Sequence, residues 1–221
     1  MHNPEVDSPQ MIAETPDWWV VSKPPGWLCI PGRSSQEGRG VDPVLTEWLK
    51  NVTSSPVWVV HRIDRETSGL VLFARSPHSH ALANAWFSQR KIKKNYRFLA
   101  QGRLGFPFLK INEPIQGAPS MTQVERLENY PHACLAQAFP RTGRRHQIRI
   151  HLAHQGFPLL GDSLYGGPKE VQLAEGQVLK VNRVALHASA LELPSGEKFS
   201  CADPLDFAHW VSVLRKSIQK G

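Results

Sequence analysis

His61-Arg62-Ile63-Asp64-Arg65-Glu66-Thr67-Ser68-Gly69 is a polar run set between two apolar ones, Val57-Trp58-Val59-Val60 before it and Leu70-Val71-Leu72-Phe73-Ala74 after it. Short apolar runs bounded by turn chemistry read as buried strands. The segment between them carries four charged residues, one histidine, two hydroxyls and a glycine. The pattern predicts a loop held rigidly between two strands of one sheet, a common way to present reactive side chains from a stiff scaffold. The competing reading is a plain charged turn, and the surrounding chain has to decide between them.

Upstream, Asp17-Trp18-Trp19-Val20-Val21-Ser22-Lys23 reads as a strand that ends in the turn Pro24-Pro25-Gly26. Residues 1–16 are polar and read as an arm or a short strand, and residues 33–40 as an exposed loop. Asp42 with Pro43 predicts a helix start, running to about Lys50 with Val44, Leu45, Trp48 and Leu49 as its buried face. Downstream, Pro77 opens a helix over 77–89 with His78, Leu82, Ala85 and Trp86 on one side. A basic run, Arg90-Lys91-Ile92-Lys93-Lys94-Asn95-Tyr96, leads into a strand over 96–101. Residues 102–120 are punctuated by Gly and Pro and read as irregular. Strands follow over 122–127 and 133–139, then a helix over 144–155 closed by Gly156. Two last strands, 184–193 and 198–202, precede a terminal helix over 204–218. Strands outnumber helices and do not alternate with them, which predicts an α+β fold with a mixed, mainly antiparallel sheet and flanking helices. The expected organisation is an arm, 1–16, and one domain, 17–221.

The chain has 221 residues, 26 Lys and Arg against 19 Asp and Glu, a formal charge of +7 and a pI near 9.5. That balance favours acidic partners, nucleic acid above all. No stretch approaches a membrane span and the first ten residues lack an apolar signal core, so the cytoplasm is the expected location and no membrane the expectation. Cys29, Cys134 and Cys201 lie far apart without a C-x-x-C pair and read as reduced, buried thiols.

A metal site fits poorly. His146, His151 and His154 lack an accompanying acid in zincin spacing, and their basic neighbours repel a cation. A hydrolase lacks its second carboxylate, and no nucleophile elbow or phosphate-cradling loop is present. More informative is Arg141-Thr142-Gly143-Arg144-Arg145-His146-Gln147-Ile148-Arg149-Ile150-His151, where arginines fall inside an apolar periodicity. A partly buried arginine demands an anionic partner, and Asp64 is the obvious carboxylate. One carboxylate, one buried arginine, one tyrosine and basic loops suit a nucleotide that stacks on a ring and is held by its phosphates.

At this point the residues match a known pattern. The chain resembles the RluA-type RNA pseudouridine synthases over most of its length. Val20-Val21-Ser22-Lys23-Pro24-Pro25-Gly26 is similar to that family's strand with Lys-Pro-x-Gly. Residues 61–69 are similar to its His-Arg-Leu-Asp-Arg-x-Thr-Ser-Gly signature, with Ile63 in place of Leu. Lys94-Asn95-Tyr96 resembles its Lys-x-Tyr. Thr142-Gly143-Arg144 with His146-Gln147-Ile148-Arg149 resembles its Thr-Gly-Arg-x-His-Gln-Ile-Arg, and Gly161-Asp162, Tyr165-Gly166 and Leu186-His187-Ala188 complete the series. The family's accessory S4 RNA-binding domain has no counterpart in the short segment before Asp17.

The resemblance implies isomerisation of uridine to pseudouridine in RNA, without cofactor or metal. It makes Asp64 the catalytic carboxylate, acting on C1′, on the base or on the C2′ proton. Tyr96 would stack on the uracil and Arg149 would pair with Asp64. Arg62 would fill the gap left by the flipped nucleotide. Arg65, Lys93, Lys94, Arg144, Arg145 and His146 would contact RNA, while Leu186 and Ile148 would line the uracil pocket. A stem-loop of ribosomal or transfer RNA is the expected target, residues 33–40 and 104–120 its specificity loops, and a monomer the expected state. The alternative is a module of the same fold that binds or chaperones RNA without catalysis.

Overall fold

The computed structural model describes residues 8–32, 42–173 and 176–218. In chain order the elements are β1 (Gln10–Glu14), β2 (Trp18–Lys23), α1 (Leu45–Thr53), β3 (Trp58–Val59), β4 (Ser68–Ala74), α2 (Pro77–Ser88), β5 (Lys93–Gln101), β6 (Phe108–Ile111), β7 (Thr122–Asn129), β8 (Ala133–Pro140), α3 (Gln147–His154), β9 (Glu170–Gln172), β10 (Val178–Lys180), β11 (Leu186–Glu192), β12 (Lys198–Ser200) and α4 (Leu205–Ile218). The architecture is α+β, a mixed and mainly antiparallel sheet with flanking helices, as expected. The chain divides into two compact units, Met1–Ile92 with Ala188–Ala202, and Lys93–His187 with Asp203–Gly221.

In the first unit β2 pairs antiparallel with β1 and β4, and β3 pairs with the far half of β4. All seven residues of β4 are buried, which is why its sequence is a continuous apolar run rather than an alternating one. Alternation reappears as two cores. Trp18, Val20, Leu70 and Leu72 pack with Ala83, Leu82 and Trp86 of α2, while Trp19, Val21, Val71 and Phe73 pack with Leu45 and Leu49 of α1. The two helices therefore cover opposite faces of the same strands. Pro77 opens α2, as expected, and the Ser76 side chain caps it, but His78 is exposed and the buried line runs through Ser79 and Ala83.

The start of α1 differs from expectation. The helix begins at Leu45, because its first amides are satisfied by backbone rather than by Asp42: Leu45 N–H donates to the Leu28 carbonyl (2.8 Å) and Thr46 N–H to that of Cys29 (3.3 Å). Residues 10–14 form a strand, and the loop expected over 33–40 lies outside the described residues.

The second unit is built on the antiparallel order β5-β8-β7-β6. Phe98, Ala100, Val124 and Ala136 pack on Ile148 and Leu152 of α3, whereas Leu99 and Leu135 pack on Phe207, Trp210 and Leu214 of α4. β6 arises within the stretch expected to be irregular, and β9 and β10 form a short antiparallel hairpin. The third helix starts at Gln147 instead of residue 144, because His146 adopts the left-handed conformation (φ 55°) and leaves Arg144 and Arg145 in the preceding turn. Among the described residues no helix is long and apolar enough to cross a membrane.

Gly69 shows why the polar run ends in glycine. Its φ is +111°, and a Cβ there would meet the Ala188 carbonyl oxygen at 2.2 Å. Backbone lies where a side chain would be, so the strands can close only on glycine. Gly69→Ala is expected to lower unfolding free energy by about 3 kcal/mol, measured by urea denaturation.

Candidate active site

The loop between β3 and β4 is fixed at every second residue. His61 Nε2 accepts a hydrogen bond from Leu72 N–H (2.9 Å), continuing the ladder where β3 stops, and its ring packs on Phe87 with centroids 5.0 Å apart. Accepting at Nε2 requires the other ring nitrogen to carry the proton. Ile63 is held at both backbone atoms by Cys29, whose Sγ accepts from Ile63 N–H and whose thiol donates to Ile63 O, each at 3.5 Å. Burial pushes the Cys29 thiol up, which keeps that proton on sulfur. The carbonyl of Arg65 accepts from Gly26 N–H and from Lys23 Nζ, both at 2.9 Å, and Thr67 N–H donates to Asp64 O (3.1 Å) to close a turn. Lys23 is fully buried, and its ammonium also donates to the carbonyls of Pro24 (2.8 Å) and Trp27 (2.9 Å).

The positions between these anchors carry the side chains of interest. Asp64 is half-buried and Arg62 is exposed. Arg65 is exposed as well, but its guanidinium meets Asp42 (2.8 Å) and Glu66 (3.4 Å), so two acids compete with any phosphate for it.

In the second unit, Tyr96, Ile148 and Leu186 come together. Ile148 and Leu186 are buried in one core cluster and Tyr96, partly buried, packs against it. The tyrosine and the two apolar residues expected around a uracil thus share one face. Lys94 sits behind the Thr142-Gly143 turn, donating to the Thr142 carbonyl (3.0 Å), and burial pushes its ammonium down to about 8. Lys93, Arg144 and Arg145 are exposed.

The buried arginine expected from the periodicity is present: Arg149 is 7% exposed. Within its unit the carboxylate that grips it is Asp162, fully buried, with Nε to Oδ2 and Nη2 to Oδ1 both at 2.7 Å. This is the bidentate fork that makes arginine the residue for such a pair. Asp162 stands in the Gly161-Asp162 pair quoted from the sequence, and the demand of a buried guanidinium for an anion was the signal that could have singled it out. Beneath it runs a chain of buried bonds. Thr142 Oγ1 donates to Gln147 Oε1 (2.6 Å), Gln147 Nε2 donates to Thr122 Oγ1 (3.0 Å), and Thr122 Oγ1 lies 2.9 Å from His151 Nδ1. His151 Nε2 must donate to the Glu113 carbonyl (2.9 Å), and burial lowers the imidazole's affinity for a second proton. Thr142, Gln147 and His151 are accordingly internal braces. His154 meets Glu113 Oε1 at 2.7 Å, and among the described residues no group of three or more His, Cys, Asp or Glu is arranged to hold a metal ion.

A sequence model described as RNA pseudouridylate synthase matches residues 17–154, which includes the anchored loop, Tyr96 and Arg149. The chain belongs to that family. It is 29% identical to the ribosomal large subunit pseudouridine synthase D of Haemophilus ducreyi, over 95% of this chain and 72% of that protein. It is 30% identical to the dual-specificity RNA pseudouridine synthase RluA of Vibrio cholerae, over 78% of this chain and 71% of that protein. These relatives place it with the RluA type, as the motifs implied, and make it an isomerase acting on RNA. Its fold matches that of human RNA pseudouridylate synthase domain containing 1, with a TM-score of 0.72 over 97% of this chain and 98% of that one at 22% identity.

Lys23 tests the anchoring directly. Lys23→Met strips three carbonyls of their ammonium and is expected to cost about 3 kcal/mol in urea denaturation. Proteolysis near residue 65 should accelerate with it.

Proposed function

We propose that this chain converts a specific uridine in a stem-loop of ribosomal or transfer RNA to pseudouridine, with Asp64 as the catalytic carboxylate. The observation that carries this reading is the fixing of the loop at His61, Ile63, Arg65 and Thr67, which mounts the intervening Asp64 on rigid backbone. A fixed carboxylate suits a reaction whose geometry must be held while a base turns. The names of the relatives support large-subunit ribosomal RNA as one substrate, and the dual specificity of the second supports more than one kind of target.

In this reaction the N1–C1′ bond breaks, the uracil turns and C5 bonds to C1′. The C5 proton leaves and N1 gains one, so the product is an isomer and no redox or energy source is consumed. Asp64 acts on C1′, on the base or on the C2′ proton. Tyr96, packed against the core cluster that includes Ile148 and Leu186, offers the uracil a ring to stack on. Arg149 supplies positive charge to the carboxylate chemistry. The uridine has to leave its stack, which costs least in a loop, and exposed Arg62 fills the gap it leaves. Exposed Lys93, Arg144 and Arg145 meet phosphates, so binding weakens as salt rises.

The purified protein is expected to release tritium from ribosomal or transfer RNA labelled at uridine C5, and to do so equally well in EDTA. No release from either RNA class, under conditions where the protein binds it, would sink this reading.

A further inference from the structure

One clasp in the second unit has no place in the chemistry described so far. His146, the residue before α3, and Arg149, in its first turn, both reach Tyr165. Facing them is the turn Ser163–Tyr165 that follows Asp162. Asp162 takes the Nε and Nη2 edge of Arg149. The Tyr165 ring lies under the same guanidinium, with its centroid 5.0 Å from the central carbon, and its hydroxyl is 2.9 Å from His146 Nδ1. The imidazole also meets that ring edge-on, 82° between planes.

Two observations say that this arrangement is built. His146 is held in the left-handed backbone region, which a residue with a side chain rarely adopts unless its surroundings impose it. The turn that carries Tyr165 is closed on the Asp162 carbonyl by Tyr165 N–H (3.1 Å) and Gly167 N–H (2.8 Å), and a Cβ on Gly167 would strike the Leu159 carbonyl oxygen at 1.7 Å. A carboxylate fork fixes a guanidinium along one edge, and a ring against its face resists tilting out of the plane. Asp162 and Tyr165 together leave Arg149 a single orientation.

We propose that Tyr165 is a positioning residue for the isomerisation: anchored by His146, its ring fixes the plane of Arg149, an inference that rests on the catalytic role proposed for that arginine. Tyr165 itself touches neither uridine nor carboxylate in this scheme. The partner His146 adjoins exposed Arg144 and Arg145, so the clasp also ties the phosphate-facing turn to the buried arginine.

The test is a mutant cycle read by single-turnover tritium release at saturating enzyme, with RNA affinity and melting temperature measured beside it. Tyr165→Leu is expected to slow the maximal rate by about tenfold or more, the scale of a misplaced catalytic group, with RNA affinity within about twofold. Tyr165→Phe keeps the ring and is expected to stay within about threefold of the parent. Arg149→Lys keeps Asp162 paired but loses the planar fork, and adding Tyr165→Leu to it is expected to slow the reaction no further. If the leucine variant melts early, Tyr165→Met, flexible and of similar volume, carries the test. A parent-like rate in Tyr165→Leu beside a slow Arg149→Lys overturns this inference alone. A parent-like rate in Arg149→Lys overturns the arginine's role and this inference with it. Lost RNA affinity with an unchanged maximal rate, or additive losses in the double variant, also overturns it.

Discussion

The fold depends, at its functional end, on one buried ammonium. Lys23 ends β2 in the register opposite Gly69, and its Nζ is shared among the carbonyls of Pro24, Trp27 and Arg65. Taking an ammonium out of water is costly, and three carbonyl acceptors restore what hydration gave. The consequence is geometric. The turn after β2 and the loop before β4 have to meet at one point, and Gly26 N–H adds a second tie to the same Arg65 carbonyl. With Cys29 on Ile63 and Leu72 on His61, loop mobility is removed where a reactive side chain has to be aimed. The anchors at Ile63, Arg65 and Thr67 engage the loop's backbone, so they tolerate variation in the side chains between them.

Much of this was legible from residue order. The apolar run of β4, the proline start of α2, the strands β7 and β8 and the terminal helix all follow from local pattern. The misses share a cause: a partner distant in sequence. α1 starts late because Leu28 and Cys29 supply its first acceptors, where local reading gave that task to Asp42. α3 starts late because His146 is held left-handed beside Tyr165, which charge and periodicity cannot reveal. The buried arginine could be inferred at position 149, and so could its need for an anion. That Asp162 meets the need within its own unit requires the turn to be folded first. Cys29 reads as an inert core thiol, and its two bonds to Ile63 have no sequence signature.

The basic balance also resolves into two populations. Lys23, Lys94 and Arg149 spend charge on carbonyls and a carboxylate inside the units, and Arg65 on two acids at the surface. Arg62, Lys93, Arg144 and Arg145 are exposed. The cations available to RNA are therefore a subset of the 26 Lys and Arg, while the motifs that identify the family draw on both groups. Aligning by motif mixes residues that hold the loop with residues whose side chains are exposed, and the structure separates them.

The central claim is that the anchored loop exists to present Asp64. The most direct measurement is single-turnover tritium release by Asp64→Asn, which keeps the shape of the side chain and removes its charge, with melting temperature and RNA affinity taken on the same sample. The account predicts a folded protein that binds RNA like the parent and releases no tritium. Release at a rate near the parent's from that variant would contradict it.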